Sequence, residues 1–127
     1  MSFTITDLKD KNLELNVNTW NWRPTLEIIK LYGIIDPKRI DMMNNNGLSV
    51  SVDAEEAKEI GRKIQEEFLS RMTPESRVLQ NLTITNEPDD GTFYREASEL
   101  WKNYSATYAW LKMFSEYCMA SNGFEVN

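Results

Sequence analysis

The sequence has 127 residues, 41% apolar, 27% charged and 11% aromatic, which suits one domain, residues 1–127, around one core. Fourteen Lys and Arg against twenty Asp and Glu leave a net charge of −6, which repels nucleic acid and anionic lipid over most approach directions. Histidine is absent and Cys118 is the single cysteine, excluding imidazole bases, Ser-His and Cys-His nucleophiles, internal disulfides and thiolate metal clusters.

In chain order, Leu13-Glu14-Leu15-Asn16-Val17 alternates apolar and polar residues and predicts a short strand. A first helix is expected from Trp22–Pro24 to Tyr32, with Leu26, Ile29 and Tyr32 on one face and Gly33 as its left-handed C′ residue. The runs Ile40–Met43 and Leu48–Val52 flank Asn46-Gly47, a dipeptide that favours a tight hairpin turn. Asp53 and Glu56 have capping-box spacing and open a second helix to Arg71, with Ala57, Ile60, Gly61, Ile64 and Phe68 as its apolar stripe. Glu59-Lys63 and Glu67-Arg71 are its favourable i,i+4 pairs. Gly61 costs about 1 kcal/mol of helix propensity against alanine, so it implies close approach by another element.

A connector follows, with one turn after Thr73-Pro74 and a short strand at Leu82–Thr85. The last helix is expected over about 93–121, because Ala97, Tyr104, Leu111 and Cys118 recur every seven residues. Asn122-Gly123 ends it, and Phe124-Glu125-Val126 is expected to return as a strand. The expected fold is therefore α+β, with three main helices (about 22–32, 53–71 and 93–121) and a small antiparallel sheet. No apolar run is long enough for a bilayer and residues 1–11 lack a signal-peptide core, so the expected location is cytoplasmic.

More than half of the aromatic residues fall between Phe93 and Tyr117. Nucleic-acid stacking platforms come with a basic groove, whereas the chain from Thr73 onward carries eight acids against four bases. Core packing is the better reading of that stripe. Trp20 and Trp22 are two residues apart, which places them on opposite sides of a strand or about 200° apart on a helix. One can be buried while the other faces outward. With Arg23 they form the candidate binding residues, since Trp and Arg are enriched at binding hot spots.

The remaining chemistry is sparse. Glu87, Asp89 and Asp90 lack the spacing of a calcium loop and read as a solvated turn. Glu55, Glu56 and Glu59 suit a helix start, where negative charge meets the dipole. Cys118 lies on an apolar stripe, away from a positive charge, and is expected to be unreactive. No catalytic residue, metal ligand or cofactor motif is identified.

The run Asn18-Thr19-Trp20-Asn21-Trp22-Arg23-Pro24, followed by Leu26 and Tyr32-Gly33, resembles a group of small uncharacterised bacterial proteins with a W-x-W element leading into a helix that ends in Tyr-Gly. Their later features resemble Asn46-Gly47, Val50-Ser51 before Glu56-Ala57, and Tyr117-Cys118 through Gly123-Phe124-Glu125-Val126. The likeness covers residues 18–64 and 117–126. It departs at Ile34 and Ile35, where members often carry Trp, and at Asn122-Gly123 in place of paired glycines. It implies no activity and no catalytic residue. An acidic, compact, histidine-free chain with an aromatic-rich helix suits a protein-binding module, immunity- or antitoxin-like, whose partner carries a basic surface. The alternative is a small-molecule binder with an aromatic pocket near Trp20 or Trp22. An enzyme relying on carboxylates alone is the least favoured reading.

Overall fold

The computed structural model describes residues 2–45 and 47–127. Strand β1 (Ser2–Asp7) pairs antiparallel with β2 (Glu14–Asn18), placing Phe3 opposite Val17 and Ile5 opposite Leu15. Helix α1 (Thr19–Leu31) starts three residues earlier than the sequence suggests. The Asn18 carboxamide accepts the Asn21 N–H at 2.9 Å, and this cap fixes the start upstream of Pro24. Its end is as expected: Gly33 has φ +63° and donates its N–H to the Lys30 carbonyl.

The Ile40–Met43 run is not a hairpin strand. Asp36 caps Arg39 N–H and Pro37 sits in the first turn, so residues Pro37–Met43 form a helix, α2. Of the expected hairpin dipeptide, Asn46 lies outside the described residues, while Gly47 has φ +87°. Strand β3 (Val50–Asp53) follows, and Asp53 opens α3 (Ala54–Lys63) through a complete capping box with Glu56. A π-helical turn (Ile64–Phe68) and a 3-10 turn (Leu69–Arg71) carry α3 to its expected end. The charge pairing differs from expectation, because Arg62 takes both Glu59 and Glu66. Lys63 lies over the Tyr32 ring instead, and Arg71 donates to the Glu67 backbone carbonyl.

The connector holds a second sheet that periodicity only half revealed. Strand β4 (Arg77–Leu79) pairs with β5 (Ile84–Thr85) and with β6 (Ser105–Thr107), all antiparallel. That third strand overturns the continuous helix 93–121. Ser105 and Thr107 join the ladder, and the Thr107 hydroxyl caps Trp110 N–H, so the α-helix, α4, spans only Tyr108–Ala120. A 3-10 helix (Ala97–Asn103) precedes β6. The fold is thus mixed helix and sheet with two small antiparallel sheets, and five helical stretches among the described residues replace the expected three.

Strand β7 (Gly123–Val126) lies between β1 and β3, giving the first sheet the order β2-β1-β7-β3. Its Phe124 joins Phe3, Ile5, Val52, Ile60, Leu111, Phe114 and Cys118 in the core. Gly61 lets α4 approach α3: a Cβ there would stand 2.8 Å from the Ser115 carbonyl oxygen. Arg39 braces the outer side of β3, donating to the Ser51 carbonyl at 3.0 Å and to both Glu56 oxygens at 3.0 and 2.6 Å. That guanidinium holds the Glu56 carboxyl below its usual range.

Candidate functional site

The start of α1 sorts the three candidate residues by angle. Trp20 and Arg23 are three residues apart and share one side of the helix, while Trp22 points the other way. Trp22 has no exposed surface. Its indole N–H donates to the Met43 carbonyl at 2.9 Å, and its ring packs on Phe3, Trp110 and Phe114. Trp22 therefore takes no part in any surface site, because its polar edge and all three neighbours of its ring are internal. Trp20 is 43% exposed and stacks on Tyr104 at 5.0 Å, and Arg23 lays its guanidinium 4.5 Å from the same tyrosine ring. Tyr104 thus joins the two outward residues.

A second segment completes the surface. Residues 86–96 form a loop held by turn chemistry at its tip and by clamps at its ends. Asp89 accepts the Gly91 N–H and Asp90 the Thr92 N–H, both at 2.9 Å, with Gly91 at φ +80°. These bonds from Thr92 hold the Asp90 carboxyl below its ordinary range. The Asn103 carboxamide grips Tyr94 on both sides, accepting its N–H at 2.7 Å and donating to its carbonyl at 2.8 Å. Arg77 donates to the Glu87 carbonyl at 2.9 Å. So held, the loop presents Phe93, 59% exposed, at right angles to Trp20 with ring centres 6.4 Å apart.

Between Trp20, Phe93 and Asp89 lies a cleft of about 310 Å³, floored by Ser105 and Thr107 of β6. Among the described residues no Lys or Arg lines it. Asn21 and Asn103 also border it, but their amides are committed to Thr107 N–H and to Tyr94. The same loop borders a second cleft, of about 230 Å³, lined by Arg77, Asp89, Asp90, Tyr94, Trp101 and Lys102, so that Asp89 reaches both. There Lys102 pairs with Glu99 at 3.1 Å and sits 5.3 and 5.6 Å from the Tyr94 and Trp101 rings.

The sequence pointed to Trp20 and Arg23 but missed Phe93, Tyr104 and Asp89. The seven-residue spacing assigns Tyr104 to a helix core, where Trp110, Leu111, Phe114 and Cys118 do lie, and the aromatic stripe carries Phe93 with it as the start of that helix. The missed signal is Ser105 and Thr107, whose ladder and cap chemistry ends any continuous helix pattern after Tyr104. Of the acids at the start of α3, Glu56 serves the capping box and Arg39, and Glu59 serves Arg62. Cys118 is fully buried, and burial pushes its thiol well above the usual range. Among the described residues no group of acids or thiols converges as a metal ion requires, and no helix is long and apolar enough to cross a membrane.

No protein-family model matches the chain, and no curated protein or solved structure matches it at a significant level.

Proposed function

We propose that the protein is a binding module, immunity- or antitoxin-like, that docks a basic protein partner on the face built by Trp20, Phe93, Tyr104 and Asp89. The carrying observation is the pair of large exposed rings on an acidic chain, set around a cleft that no cation lines among the described residues. Large aromatics at the centre of an interface commonly supply most of its affinity. Opposite net charge accelerates encounter with a basic partner and makes it sensitive to salt.

Trp20→Ala is the direct test, because Trp20 lies outside the core and its loss leaves the fold in place. Co-purification from the native cells is expected to yield a basic protein at low salt with the wild type. The variant is expected to bind it about thirtyfold more weakly, the effect of losing about 2 kcal/mol at a hot spot. An acidic partner, or undiminished binding by the variant, contradicts the reading. A cleft of about 310 Å³ falls within the range of small-molecule pockets, so a free metabolite is the second reading. A saturable change in tryptophan fluorescence across a metabolite library, lost in Trp20→Ala, favours it. Trp22→Ala is unsuited to that test, since it empties the core.

A further inference from the structure

The 86–96 loop borders both clefts, with Asp89 lining each of them, and each brings aromatic rings near a carboxylate. In one, two aromatic rings and a carboxylate surround an ammonium: Tyr94 and Trp101 lie 5.3 and 5.6 Å from Lys102 Nζ, and Glu99 is 3.1 Å from it. In the other, Trp20 and Phe93 meet at 89° beside Asp89, and the chain supplies no cation among the described residues. Aromatic faces attract cations through their quadrupoles, and tryptophan does so most strongly. Perpendicular rings with an adjacent carboxylate attract a positive group from two sides and neutralise it from a third.

We propose that the Trp20–Phe93–Asp89 corner is a receptor for an alkylammonium group, namely a lysine side chain of the docked partner. This rests on the docking reading above. Lysine is preferred to arginine on the precedent of Lys102, an ammonium that already takes two rings and a carboxylate beside the same loop. An ammonium acts as a point charge and needs one carboxylate oxygen. The aliphatic stem of lysine would lie along the Phe93 ring, which is 59% exposed.

The test uses the whole protein labelled with ¹⁵N and reads the Trp20 indole N–H resonance, assigned by its loss in Trp20→Phe. Nα-acetyl-lysine methylamide at low salt is expected to shift that resonance saturably, while the norleucine analogue leaves it unmoved. Asp89→Asn, which keeps the turn to Gly91, is expected to weaken binding about threefold to fivefold. Phe93→Leu is expected to weaken it by a similar factor. Equal response to norleucine, tighter binding of the arginine analogue, or indifference to Asp89→Asn overturns the proposal. If the lysine probe fails but Trp20-dependent capture of a basic partner persists, the docking reading survives and the ammonium assignment falls. If neither occurs, both fall.

Discussion

Asp7 shows how a single buried charge can hold two turns together. It is 2% exposed, and among the described residues no Lys or Arg pairs with it; four N–H groups serve it instead. Lys9 and Asp10 N–H bind it at 3.0 and 2.9 Å, and Asn122 binds it through backbone and side chain at 2.9 and 3.2 Å. Burial pushes its pKa up, but these bonds to the charged form outweigh it and hold the carboxyl well below the usual range. A depressed folded pKa means that the stabilisation is complete above the unfolded value near ~3.9 and is lost as pH falls toward the folded one. Asp7→Asn is therefore expected to cost about 2 kcal/mol at neutral pH, and the gap to wild type to narrow below about pH 4. Denaturant melts of both proteins across that range check it; a gap independent of pH would contradict the ionic account.

Among the elements, the contact between α3 and α4 is the most closely specified. Adding a methyl at Gly61 gains about 1 kcal/mol of helix propensity, yet it meets the Ser115 backbone oxygen at 2.8 Å and Met119 Cγ at 2.9 Å. Met119 can swing aside, but the carbonyl can move only with its helix. Gly61→Ala is expected to destabilise by about 1–2 kcal/mol net, read as a lower urea midpoint at unchanged slope. A raised midpoint would show that the helices separate freely. This glycine and the Asp53–Glu56 box were both legible in the sequence, since each has a local chemical signature. The failures have a common origin. Periodicity cannot distinguish a broken helix from a continuous one when Asn103, Ser105 and Thr107 prefer turns, ladders and caps. The same limit hid the site, because Phe93 and Tyr104 depend on where the helix begins. Trp20 and Trp22 were separable in principle by their angle on α1, but only the fold says which one is inside.

For the whole molecule, the acidic surplus and the exposed rings act together. Net charge governs how fast a basic partner arrives, and the Trp20–Phe93 corner governs how long it stays. Raising salt is thus expected to slow association with little effect on dissociation, whereas Trp20→Ala speeds dissociation; stopped-flow or surface-binding kinetics separate the two. A salt effect confined to dissociation would place the charges inside the contact.

Threading β7 between β1 and β3 has a kinetic corollary. The β1–β2 hairpin joins near neighbours in sequence, Thr6 with Glu14, but β1 meets β7 across most of the chain, Asp7 with Phe124. Such distant closure is slow because chain entropy is lost before the contacts form. Until it happens, β1 and β3 each present an unsatisfied edge, the geometry that recruits foreign strands. Refolding should accordingly grow more aggregation-prone with protein concentration, and pulse-labelled hydrogen exchange should protect β2 amides before those of β7.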